Sequence, residues 1–245
     1  PAPGRSRSRA RATKQGETMI EICGKQVRDT LDELLDPEVN ALLVIDMQQG
    51  AVAKGGTIGE DHDLSMMSGV AGRCGQAIAA ARENGVPVFH VRVENLPDAQ
   101  SSPPAWLRSL YTIANGRSVD LGRLSLAGDP AADFCAECRP EPGEAVVTKR
   151  RPSAFVSTEL ELLLRSQGIE SVAVIGISTG GCVEATLRDA THHDFYAVLV
   201  EDCVGAYDTE VHNAAMTVMR ARHDTCTLEE AIAAWKAGAR RRVTS

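Results

Sequence analysis

The chain has 245 residues, room for one large α/β domain or two small ones, and 43% of them are hydrophobic, enough for a sizeable core. Aromatic residues make up only 4%, so the core is expected to be Val, Leu, Ile and Ala. A formal charge of −7 argues against general nucleic-acid binding by the folded body, and no apolar run approaches the length of a membrane span.

Residues 1–18 carry RSRSRARATK, basic, polar and without hydrophobic periodicity, and read as a disordered tail. Residues 19–245 read as a single domain. Residues 20–39 start apolar and continue as VRDTLDELL, a helical turn or arm that Pro37 ends. ALLVI at 41–45 is the first strong strand, and Asp46 follows it. A glycine-bearing loop spans 47–60. Residues 63–84 read as a helix, with Ala71, Cys74, Ile78 and Ala81 on one face and Gly85 as its C-terminal stop. PVFHVRV at 87–93 is the second strand.

Residues 94–140 are poorly patterned, with SSPP, scattered glycines and one tryptophan, Trp106. So long an irregular insertion reads as a lid, a substrate loop or an oligomer contact. The third strand, 145–148, runs straight into Lys149. A helix over 158–167 carries Leu160, Leu163 and Leu164 and stops at Gly168. VAVIG at 172–176 is the fourth strand. After a turn of small residues, Cys182 opens a helix to 194 with Val183, Thr186, Leu187 and Ala190 at helical spacing. Residues 197–200 form the fifth strand, 209–222 a helix, 224–226 a short last strand and 228–237 a final helix with a frayed basic tail. Strands alternating with helices predict an α/β fold: a parallel sheet with helices on both faces.

Asp46, Lys149 and Cys182 each lie at or just past the carboxyl end of a predicted strand. Ligands of open α/β sheets bind at that edge. A thiol at the start of a helix meets free N–H groups and a partial positive charge, so its pKa is expected to fall. The same N–H groups can hold an oxyanion. Asp46 is the candidate base for the thiol proton, and Lys149 the cation that holds both. Taken singly, a core cysteine, an N-cap aspartate and a surface lysine explain each position. Their coincidence at one edge favours a site.

ALLVIDMQ at 41–48, TKRRPSAFVSTELELLLRSQGI at 148–169 and VIGISTGGCVEATLRDA at 174–190 resemble the isochorismatase-like cysteine hydrolases. The resemblance implies a three-layer Rossmann-like fold around a six-stranded parallel sheet of order 3-2-1-4-5-6. It implies an Asp–Lys–Cys triad at Asp46, Lys149 and Cys182. It also implies a non-proline cis peptide at Ile177–Ser178, with Ile177, Ser178, Gly181 and Cys182 as the oxyanion turn. CVEATLRD, KGG at 54–56 and VLVED at 198–202 look most like ureidoacrylate amidohydrolases and the related biuret, triuret and N-carbamoyl amide hydrolases. That implies a homo-oligomer, often a tetramer, acting on a small amide or ureido compound, with no nucleic-acid or membrane partner.

Nicotinamidases share the fold and triad but carry a metal site of one Asp and several His. Here Asp61-His62-Asp63 is the local candidate, and its spacing is not theirs, so the expectation is no metal and no other cofactor. Gln48 has an amide that suits a substrate ureido group or a structural hydrogen bond. Arg150 and Arg151 flank Lys149 and suit a substrate carboxylate or the surface, and Phe155 suits a wall of the site. Cys135 and Cys138 have CxxC spacing without a second pair for zinc, and read as incidental. Seven cysteines in a well-cored chain favour a reducing cytoplasm over a disulfide framework. A metal-independent cysteine amidohydrolase is the first reading. A nicotinamidase-like, metal-assisted amidase and a binding protein that kept the fold are the alternatives.

Overall fold

The computed structural model describes residues 19–52, 65–113 and 125–244. The tail 1–18, the KGG stretch and Asp61-His62-Asp63 lie outside the described residues. The centre is a six-stranded sheet of parallel strands: β3 (Asn40–Ile45), β4 (Val88–Val93), β5 (Ala145–Lys149), β6 (Ser171–Ile177), β7 (Tyr196–Gly205) and β8 (Asp224–Cys226). Their spatial order is β5-β4-β3-β6-β7-β8. Counted along the chain this is 3-2-1-4-5-6, the expected doubly wound arrangement.

β3 lies at the middle of the sheet, all six of its residues are buried, and its side chains alternate between two cores. Leu42 and Val44 face one core, beneath α3 (Ser65–Glu83) and α8 (Leu228–Thr244). Ala41, Leu43 and Ile45 face the other, beneath α5 (Leu160–Ser166), α6 (Glu184–His192) and α7 (Thr209–Arg222). Period-two alternation in a strand buried on both sides reads as an unbroken apolar run, as ALLVI does. At the amino end of the sheet, fully buried Trp235 donates from Nε1 to Asn40 Oδ1 at 3.1 Å, and Asn40 Nδ2 donates to Ser171 Oγ at 3.2 Å.

Three parts differ from the sequence expectation. The first apolar stretch is an antiparallel hairpin, β1 (Met19–Ile22) and β2 (Lys25–Arg28), joined through Cys23 and Gly24, both at positive φ. The arm then continues into the short α1 (Leu31–Leu34). Within the insertion, α4 (Pro104–Ile113) follows α2 (Gln49–Val52) and α3 in the chain, with Pro at its first position, where a missing N–H costs nothing. The expected frayed tail is helix up to Thr244. Gly238 lets that helix lie on Pro37, since a Cβ there would stand 2.3 Å from Pro37 Cδ. Among the described residues no helix is long and apolar enough to cross a membrane.

Candidate active site

Asp46 is the first residue past β3. Its backbone sits at φ 51°, a left-handed conformation that Asp tolerates better than most residues. Its N–H donates to Val91 O of β4 at 2.9 Å, which ties it to the sheet edge as the chain turns away. Lys149 is the last residue of β5, two strands away, and its side chain runs across the end of β4 to reach Asp46. β6 carries the third residue. It ends in a cis Ile177–Ser178 peptide, at the expected bond. Thr179–Val183 then winds as a π-helical turn, and α6 starts only at Glu184. Cys182 therefore sits inside a π turn rather than opening the α-helix, a geometry that recurs at functional sites. Gly181 N–H and Val183 N–H both donate to Ser178 O, at 3.0 and 3.2 Å.

The structure brings the three residues together. Lys149 Nζ lies 2.8 Å from Asp46 Oδ2 and 3.2 Å from Cys182 Sγ. Lys149 is fully buried, Asp46 nearly so, and Cys182 partly. Burial alone would pull the lysine pKa down, but the Asp46 carboxylate, with the hydrogen bonds to Asp46 and Cys182, outweighs burial and holds it above its ordinary value. The ammonium is therefore charged. The thiol goes the other way from the sequence expectation. Burial, then the Asp46 carboxylate, push Cys182 up to about 12 against the opposing pull of Lys149. A single shared ammonium does not offset the loss of water plus a neighbouring anion. The resting sulfur is thus a thiol, which would have to lose its proton to act as a nucleophile. Asp46 Oδ1 is buried and has no hydrogen-bond partner among the described residues, which leaves it free to accept a proton.

Other expected site residues are placed differently. The Gln48 amide is used up by backbone: Nε2 donates to Val93 O and Ala132 O at 2.9 and 2.8 Å, and Oε1 accepts from Val93 N at 2.9 Å. With the residue 1% exposed, the structural reading of Gln48 replaces the substrate contact. Phe155 is no wall of the site. It is buried at the opposite end of α6, stacked on His193 at 4.9 Å and packed against Phe195. Arg151 donates to Ser101 O at 3.1 Å and lies over the Trp106 ring at 5.1 Å, so it fastens the insertion to the strand that ends in Lys149. Arg150 is held by the carbonyl and carboxylate of Glu94. The Gly181 N–H is committed to Ser178 O, which removes it from the expected oxyanion donors. Cys135 and Cys138 are buried, and hydrogen bonding to Cys138, together with burial, pushes the Cys135 thiol up. Among the described residues no group of three or more His, Cys, Asp or Glu is placed to hold a metal. His90 is buried against Glu144, with Nε2 2.9 Å from Oε2.

Two residues near the site were not expected from the sequence. Tyr207 lies just past β7 and donates its hydroxyl to Ala51 O at 2.8 Å. Burial, then the charges of Asp46 and Cys182, raise its phenol pKa. The signal was present: reading VLVEDCVG as one strand would have put Tyr207 at the same sheet edge. The other is His212, whose Nδ1 lies 2.9 Å from Thr179 Oγ1 in the cysteine turn. No local pattern marks it, because the contact joins residues 33 positions apart.

Comparison with known proteins agrees with this architecture. A family model described as the isochorismatase domain matches residues 40–230. A maleamate amidohydrolase of Pseudomonas putida is 30% identical over 193 residues, covering 78% of this chain and 84% of its own. A ureidoacrylate amidohydrolase of Pantoea ananatis is 34% identical over 176 residues, covering 68% and 69%. The crystal structure of a cysteine hydrolase from Pseudomonas syringae superposes with a TM-score of 0.71 over 82% of this chain and 94% of that one; at 21% identity it speaks for the fold alone. With the domain matched over residues 40–230, from the first core strand into the last helix, the chain belongs to the isochorismatase family.

Proposed function

We propose that this protein is a cysteine amidohydrolase that cleaves the C–N bond of a small linear amide, ureide or carbamoyl compound through a thioester. The observation that carries the proposal is the position of Lys149 Nζ, within 2.8 Å of the Asp46 carboxylate and 3.2 Å of the Cys182 sulfur. Relatives named as amidohydrolases support the C–N bond as the target.

The steps follow from the protonation states. As Cys182 Sγ bonds to the carbonyl carbon, its proton passes to Asp46 Oδ1. The C=O pair moves to oxygen, and backbone N–H groups of the turn at Ile177, Ser178 and Cys182 are the donors proposed for that oxyanion. The tetrahedral species collapses, the C–N bond breaks, and Asp46 returns the proton to the leaving nitrogen. Water then attacks the thioester, Asp46 takes its proton, and the acid leaves as the thiol reforms. Lys149 stays charged throughout and stabilises the carboxylate and the sulfur as charge moves between them.

The chemical step needs no metal in this scheme, and the enzyme is proposed to work in the cytoplasm as a homo-oligomer, a tetramer by family resemblance. The test is a panel of amides, ureides and carbamoyl compounds scored for ammonia release by purified protein before and after chelation. Release from one class, unchanged by the chelator, is the expected result. A tightly bound stoichiometric metal whose removal abolishes turnover would overturn the metal-free scheme.

A further inference from the structure

The turn that carries Cys182 is gripped from outside the sheet by α7. Gly180 lacks a Cβ, and one built there would stand 2.9 Å from Val211 Cγ1 and 3.3 Å from Ala215 Cβ. Helix and turn are therefore in direct contact. The position of α7 is itself set at its start, where the Asp208 carboxylate accepts from Glu210 N and Val211 N at 2.8 and 3.0 Å. One residue past Val211, His212 places Nδ1 2.9 Å from Oγ1 of Thr179. Thr179 is fully buried and is the first residue of the π turn.

We propose that His212 is a positioning residue: its hydrogen bond to Thr179 fixes the π turn and so aims Cys182 Sγ between the substrate carbonyl and the Asp46 carboxylate. The inference rests on the reading of Cys182 as nucleophile. A π turn is an uncommon, single-turn winding, so side-chain contacts from a neighbour matter to holding its shape. A buried hydroxyl also needs a partner, and a partner in another element converts that need into a fixed distance. Burial, then Arg220, hold the His212 ring below its ordinary pKa. The neutral ring has one donor and one acceptor nitrogen, and a hydroxyl can meet either. His212 touches neither Asp46 nor Lys149 through any hydrogen bond; it acts through Thr179.

The experiment compares wild type, His212→Leu, Thr179→Val, the double variant and His212→Asn, each as the full chain. The probe is iodoacetamide, with the alkylation rate of Cys182 followed by mass spectrometry and the melting temperature recorded alongside. His212→Leu and Thr179→Val are each expected to slow alkylation about tenfold, within the range that small misplacements of a reacting group produce. The double variant is expected to be no slower than either single one. His212→Asn presents an amide near the Nδ1 position and is expected to recover most of the rate. Wild-type rates in both single variants would overturn the inference. So would multiplicative losses in the double variant, or a His212→Asn rate no better than His212→Leu. If both leucine and asparagine variants slow alkylation only in proportion to a lowered melting temperature, the role is structural and the inference also falls. Turnover retained by Cys182→Ala takes the nucleophile reading with it. Labelled wild type with unmoved variants retires His212 alone.

Discussion

A Cβ on Gly176 would stand 2.1 Å from the carbonyl oxygen of Ile45 and 2.8 Å from its nitrogen. The two residues are register partners in the β3–β6 pair, and Gly176 adopts φ 116°, which L side chains avoid. Next along the chain from Ile45 is Asp46, and next from Gly176 is the residue that starts the turn to Cys182. The close approach of these two backbones is what brings Asp46 and the turn of Cys182 into one site. Gly176→Ala is expected to force the strands apart, destabilise the fold by roughly 1–3 kcal/mol and abolish turnover. Urea denaturation with a parallel activity assay checks it; a variant as stable and active as wild type would show that the strands yield without disturbing the site.

Cys182→Ser and Cys182→Ala should fold normally and lose turnover, because neither supplies the sulfur. The pH behaviour of the thiol is the sharper measure. With burial and Asp46 holding Cys182 at about 12, thiolate absorbance assigned by difference from Cys182→Ala should rise only near that pH. A step in the ordinary thiol range, about 8.5, would mean that the turn activates the sulfur before substrate arrives.

Asp46→Asn removes the proton acceptor and should lower kcat by roughly 10²–10⁴, the usual range for a positioned general base. Lys149→Met leaves the Asp46 carboxylate buried without its cation, which costs roughly 3–5 kcal/mol for pairs of this kind. Adding Asp46→Asn to Lys149→Met should restore part of that stability while leaving the enzyme inactive. Chemical denaturation of the three variants decides it: a double variant less stable than Lys149→Met would contradict the pairing.

The insertion is expected to take part in assembly. Within the insertion, Trp106 lies under Arg151 of the same chain. α4 buries none of its residues, and it exposes Tyr111 at 44% and Ile113 at 70%. Sedimentation at micromolar concentration should show a homo-oligomer, and Ile113→Glu should weaken it. An active monomer at that concentration would refute the assembly, and an unaltered oligomer in the variant would move the contact elsewhere.

Much of the architecture was legible in the residues themselves. ALLVI, PVFHVRV and VAVIG are strands because short apolar runs rich in β-branched residues, interrupted in the second by His90 and Arg92, suit burial on both faces of a parallel sheet. The helices between them follow from apolar spacing and glycine stops, so the strand–helix alternation and the strand-end positions of Asp46, Lys149 and Cys182 could be anticipated, while the strand order came from the family resemblance. These are local signals, or sums of local signals. The hairpin at Met19–Arg28 escaped because its strands are four residues each and largely exposed, too short for their apolar residues to set a period. α4 escaped because prolines and glycines dominate its surroundings. What tertiary structure alone decided is the chemistry of each group once neighbours arrive from elsewhere in the chain. Desolvation beside a carboxylate makes Cys182 a thiol, where its place after a strand had suggested a thiolate. Backbone groups from β4 and the 132 region occupy the Gln48 amide, and a helix begun 30 residues later supplies His212 to Thr179. Burial and pairing are properties of a folded volume, and no stretch of sequence contains them until distant segments share it.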